Sequence, residues 1–161
     1  MSLTAPAAIV PAGPDHRRRA SSVLFVCNLN AIRSPMAAAL AKHFFPGLTV
    51  QSAGVRTGEP DPFAAAVMDE IGLDIGRHRP VSLGELEEVL EVEPTEFDLI
   101  VTLSPEAHHA ALELTRTAAS EVEYWPTMDP TGLEGSRDQV LAAYRGVRDA
   151  LQARIEKRFG V

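Results

Sequence analysis

The sequence predicts an α/β domain built on a parallel sheet, and three observations carry that prediction. Four short runs, 22–27, 48–53, 97–103 and 122–125, alternate with segments of helical period. The first of them, Val23-Leu24-Phe25-Val26, is apolar without alternation, as a strand covered on both faces requires. The residues of chemical character, Cys27, Ser52 and Asp129, fall at or just past strand ends. In parallel sheets with right-handed crossovers, ligands bind beyond the carboxyl ends of the strands.

Taken in order, strand one runs into the loop Cys27-Asn28-Leu29-Asn30-Ala31-Ile32-Arg33-Ser34. A helix follows over about 34–45, with Met36, Leu40 and Phe44 on one face, and Pro46-Gly47 ends it. Strand two closes at Gly54. A second helix over about 60–71 has the stripe Phe63, Val67, Ile71, with Gly72 as its C-terminal stop. A loop follows, carrying Arg77, His78 and Arg79, which either form a positive rim or stay solvated. A short helix near 82–90 points Leu83, Leu86 and Leu90 inward and leaves its glutamates wet. After strand three, Ser104-Pro105 opens a helix to about Thr115. Its adjacent His108 and His109 face different ways and lack a partner at ligand spacing, so no metal site is expected. Trp125 ends strand four, either as a wall of the substrate cleft or, the preferred reading, as a core residue. The last helix, 136–158, lines Val140, Tyr144, Val147, Leu151 and Ile155 along one side.

Composition bounds the function. The 161 residues suffice for one domain, expected over 21–161 behind a mobile tail at 1–20. No apolar run reaches the ~20 residues of a membrane span. The formal net charge is -7, although residues 1–20 carry Arg17, Arg18 and Arg19 against Asp15, so the body is the acidic part. Such a body argues against a general nucleic-acid binder. Cys27 is the only cysteine, which rules out an internal disulfide framework and suits a reducing, cytoplasmic setting.

The loop from Cys27 to Ser34 is the centre of the expected chemistry. Between a strand and a helix start, backbone N–H groups can wrap an oxyanion. Arg33 can fork onto the anion's oxygens from one side, with the Cys27 sulfur beneath. A helix's positive end and a guanidinium both favour the thiolate of such a cysteine. Ser34 either caps the helix, with Pro35 at its first position, or donates its hydroxyl to the sulfur. Asn30 stands mid-loop, where tolerance of positive φ lets the chain curl.

These residues resemble the low-molecular-weight protein-tyrosine phosphatases. That family carries cysteine, five residues, arginine and serine near its N-terminus, and an Asp-Pro far downstream. Here these are Cys27 to Ser34 and Asp129-Pro130, with further likeness at Ser52-Ala53-Gly54, at Gly72 to Ile75 and at His78-Arg79. The resemblance covers about residues 22–158. It implies a three-layer domain with a four-stranded parallel sheet in the order 2-1-3-4. It also implies hydrolysis of a phosphate monoester on a protein or small molecule, through a cysteinyl-phosphate and without metal or cofactor. Cys27 would be the nucleophile, Arg33 the oxyanion clamp and Asp129 the general acid. Asn28, Leu29, Asn30, Ala31, Ile32 and Ser34 would surround the phosphate, and Ser52 would hold Asn30. A monomer or a weak homodimer fits the family.

At three places the sequence departs from the family pattern, and there the resemblance weakens. Leu29 stands where glycine is common in the family, and Ile32 where some relatives carry a second cysteine. After Asp129-Pro130 come Thr131-Gly132-Leu133 instead of the aromatic residues that stack on phosphotyrosine. Two other activities suit the same loop. One is arsenate reduction with an external thiol, since the chain has no cysteine relay. The other is oxyanion binding without catalysis.

Overall fold

The computed structural model describes residues 20–160. Residues 1–19 of the expected tail lie outside the described residues. The elements are β1 (Ser22–Cys27), α1 (Arg33–Phe44), β2 (Thr49–Gly54), α2 (Pro62–Asp69), α3 (Leu86–Leu90), β3 (Leu99–Thr102), α4 (Pro105–Leu114), β4 (Glu121–Tyr124) and α5 (Arg137–Phe159). Short 3-10 turns at Leu83–Glu85 and Pro94–Glu96 complete them.

The four strands form one parallel sheet in the order β2-β1-β3-β4. Side chains of a strand alternate between faces, and β1 uses both. Val23, Phe25 and Cys27 join the core beneath α1, α2 and α5, with Met36, Leu40, Val67, Leu151 and Ile155. Leu24 and Val26 join a smaller core on the other face, with Leu86, Phe97, Ile100 and Ala107. That is the three-layer arrangement. Phe25 meets Trp125 edge to face at 5.9 Å between ring centroids, so Trp125 is core. Among the described residues, no helix is long and apolar enough to cross a membrane.

Local chemistry sets the boundaries. Pro62 starts α2 because Asp61 accepts from the Phe63 and Ala64 N–H groups, and Pro62 has no N–H to strand there. Ser104 and Ser136 cap α4 and α5 in the same way. The segment near 82–90 is a 3-10 turn with a Ser82–Glu85 capping box, followed by one turn and a half of α-helix. Three residues expected inward are exposed. Phe44 ends α1 while its neighbour Phe45 packs on the core. Ile71 lies beyond the end of α2. Leu90 closes α3 just before Glu91 turns left-handed at φ 58°. Periodicity extrapolated to a helix end fails where the chain already curls away.

Candidate active site

The register places Cys27 beside Gly54 at the carboxyl ends of β1 and β2. The loop between Cys27 and α1 then curls over that edge. Asn30 is fully buried at φ 56°, the left-handed conformation that its position asked for. Its side chain ties three segments together. Nδ2 donates to Ser34 Oγ at 2.8 Å and to Ser52 Oγ at 2.9 Å, and Oδ1 accepts from Val81 N–H at 2.9 Å. His78 Nε2 lies 2.8 Å from the Asn30 carbonyl oxygen. Gly54 lets the loop lie this low. A Cβ there would stand 2.7 Å from Asn30 N and 2.8 Å from the Leu29 carbonyl carbon. Loop carbonyls of Cys27, Asn28 and Leu29 accept from the N–H groups of Val55, Arg56 and Gly58. Carbonyls used in this way point outward from the curl.

Ser34 does not cap α1. The helix begins one residue earlier, Ile32 stands at the cap without a side-chain bond, and Ser34 is buried in the first turn. Its hydroxyl turns under the loop instead and lies 2.9 Å from Cys27 Sγ, the second of the two roles open to it. It also donates to the Ala53 carbonyl at 3.3 Å. One hydroxyl proton cannot serve both partners. With a neutral thiol, Cys27 donates to Ser34. With a thiolate, the Ser34 proton swings to sulfur and stabilises the anion.

Cys27, Arg33 and Asp129 line one small cavity of about 100 Å³, together with Asn28, Leu29, Ala31 and Ile32 of the loop. Cys27 is nearly inaccessible at its floor. Arg33 is buried, and its NH1 donates to the Thr127 carbonyl at 3.0 Å. Its NH2 lies 3.8 Å from Asp129 Oδ2. Asp129 is half exposed, and its Oδ1 accepts from both the N–H and the hydroxyl of Thr131. The carboxylate is therefore steadied on one oxygen while the other faces the guanidinium. Asn28 turns its Oδ1 to Ser104 Oγ at 2.6 Å, linking the loop to the start of α4. Ser52 sits under the loop, outside the cavity lining, in contact with Asn30.

Arg77, His78 and Arg79 do not rim this cavity. They line a separate groove beside α1, and only His78 reaches the loop. Burial, with the Lys42 charge, holds the His78 imidazole below its ordinary range against the pull of the Asn30 carbonyl. The lining also includes Arg56, which escaped the sequence argument, and Thr131, which the sequence marked only as standing where the family carries aromatic residues. Arg56 lies two residues past the end of β2, on the edge that the strand-end rule marks, and that rule applied to charged residues would have found it. Among the described residues, no three His, Cys, Asp or Glu side chains gather as a metal site.

The fold and the loop together define a class: a small α/β domain holding one cysteine and one arginine in a curled strand-to-helix loop, with a carboxylate across the cavity. Residues 22–159 match the family described as low molecular weight phosphotyrosine protein phosphatase. The chain belongs to that family. Curated relatives include arsenate reductases and probable protein-tyrosine phosphatases. An arsenate reductase of Halalkalibacterium halodurans is 32% identical over 136 residues, covering 83% of this chain and 91% of the relative. A probable low molecular weight protein-tyrosine-phosphatase, EpsP of Ralstonia solanacearum, is 46% identical over 65 residues, 38% of this chain and 45% of the relative. Among solved structures, an arsenate reductase from Archaeoglobus fulgidus superposes with a TM-score of 0.65 at 28% identity, over 86% of this chain and 99% of that one.

Proposed function

We propose that the protein hydrolyses phosphate monoesters, on phosphorylated protein or small molecules, in the manner of a protein-tyrosine phosphatase. The observation that carries this is that Cys27, Arg33 and Asp129 line one small cavity. The Cys27 thiolate attacks phosphorus in line with the leaving oxygen. The S–P bond forms as the P–O bond breaks, and Asp129, protonated, gives its proton to the leaving oxygen. Loop N–H groups and Arg33 hold the equatorial oxygens, where charge concentrates. Asp129, now a carboxylate, takes a proton from water. The water oxygen attacks phosphorus, the S–P bond breaks, and phosphate leaves with the thiolate restored. An oxyanion-binding module without catalysis would have no need of the carboxylate.

The test is kcat/KM for aryl phosphates with leaving groups of graded pKa, which reports the step that expels the leaving group. Asp129→Asn should slow hydrolysis by roughly 10²–10⁴-fold, most for the poorest leaving groups. A uniform effect on all leaving groups would remove Asp129 from the acid role.

A second reading, arsenate reduction, is favoured by the relatives that bear that name over most of this chain. Cys27 would displace hydroxide from arsenate. An external thiol would then attack the Cys27 sulfur, arsenite would leave with the electron pair, and a second thiol would reduce the mixed disulfide. The chain supplies no further cysteine for this. Arsenite release that requires added small thiol would establish it.

A further inference from the structure

We propose that Arg56 selects the substrate, and that the site takes phosphate esters whose leaving group carries a second anionic group, a carboxylate or another phosphate. The proposal rests on the phosphatase reading above and names a substrate class for it.

The loop and Arg33 claim the reacting phosphate at the cavity floor, so the leaving group must extend outward past Asp129. The walls it meets there are Leu29, Thr131 and Arg56, and among the described residues no aromatic side chain lines the cavity. A phosphotyrosine ring would find no stacking partner. A second anion would find a guanidinium. Arg56 is anchored against the loop itself, because its N–H donates to the Asn28 carbonyl at 2.8 Å. Its side chain is aimed by Glu106, which stands in the first turn of α4. The two form an ion pair through NH1, and NH2 donates to Glu106 Oε1 at 3.3 Å. Both side chains are about half exposed, and exposed ion pairs are weak, so another anion exchanges with Glu106 at little cost. A guanidinium has five N–H donors, and Glu106 engages two of them. The remaining three can serve a ligand even without exchange. The setting adds selectivity, since Arg33 and Arg56 gather positive charge around this cavity while the whole chain carries -7.

Two esters of equal shape test this: 3-carboxyphenyl phosphate and its neutral counterpart 3-carbamoylphenyl phosphate. The readout is the ratio of their kcat/KM values, in which the variant-to-intact comparison cancels the intrinsic difference between leaving groups. The ratio should fall about tenfold in Arg56→Gln. It should be retained in Arg56→Lys, which keeps the charge, and should rise in Glu106→Gln, which removes the competing carboxylate. An unchanged ratio in Arg56→Gln would overturn the proposal. Phenylene 1,3-bisphosphate, run beside the carboxylate ester, sorts the two anion sources by whichever loses more on Arg56→Gln. Calorimetric binding of the same esters to Cys27→Ser separates this proposal from the reading beneath it. An Arg56-dependent preference in binding, with no turnover by the intact protein, supports Arg56 and removes the phosphatase. Turnover without that preference removes Arg56 alone.

Discussion

Asn30 carries more of the loop than any residue with a direct chemical part. It is buried, sits at φ 56°, and joins Ser34, Ser52, Val81 and His78. Asn30→Ala leaves a non-glycine residue in the left-handed region and orphans polar groups on three segments. We expect it to cost about 2–4 kcal/mol in chemical denaturation, with a larger fractional loss of turnover than of stability. Gly54→Ala acts from below, because its Cβ must push loop backbone, and should lower turnover while leaving the fold cooperative. His78 gives a pH dependence. Its folded imidazole is held below the ordinary 6.5, so between those values the unfolded chain binds the extra proton. Stability from this group is present above 6.5 and is lost as pH falls through the lower folded value. Unfolding free energies for the intact protein and for His78→Gln should converge toward the acid side.

The residue scale also shows what sequence does and does not disclose. Cys27, Arg33 and Asn30 were legible because a short loop between a strand and a helix leaves little choice of conformation. The role of Ser34 was not, since capping and contact with sulfur differ only by one residue in where α1 begins. Arg56 was open to the strand-end rule, two residues past β2, whereas the contact of His78 with the loop was hidden because 48 residues separate it from Asn30.

Among elements, α5 shows how a helix far along the chain steadies the site. Tyr144, Val147, Leu151 and Ile155 bury the stripe that its period marks out, while Val140, nearer its start, is only partly covered. From the same face Tyr144 donates to Asp61 Oδ2 at 2.8 Å, so α5 holds the cap of α2. Burial, that bond and the nearby Asp129 charge keep the Tyr144 phenol protonated well above its ordinary range. Tyr144→Phe should cost about 1 kcal/mol, read by denaturant midpoint. Lower on α5, Arg145 and Arg148 clamp Glu70, just past the end of α2, and draw its carboxyl from 4.5 down to about 2. A depressed carboxyl stabilises the fold above 4.5 and loses that contribution as pH falls toward 2. Glu70→Gln should therefore flatten the acid limb of the stability profile between those values. The stripe was visible in sequence, but the clamp was not, because its partners lie 75 and 78 residues apart.

On the scale of the whole molecule, the sheet converts sequence order into a single edge. Parallel strands in the order 2-1-3-4 send Cys27, Gly54 and the chain leading to Asp129 to the same end. That convergence followed from the alternation of strands and helices alone, whereas the strand order required the family resemblance. The distance of 3.8 Å between Arg33 and Asp129 followed from neither. It depends on how the loop after β4 folds back, where Thr127 N–H donates to the Leu103 carbonyl and Thr131 steadies the carboxylate.

Covalent uptake of phosphate by Cys27 is tested most directly by rapid-quench hydrolysis of an aryl phosphate with mass analysis of the quenched protein. A burst of released phenol stoichiometric with enzyme is expected, with one phosphate on the peptide containing Cys27. Cys27→Ser should show no burst, and the intact protein should keep its burst in chelator. Phenol released without a burst, from a protein that never carries phosphate on Cys27 under any quench, would contradict it.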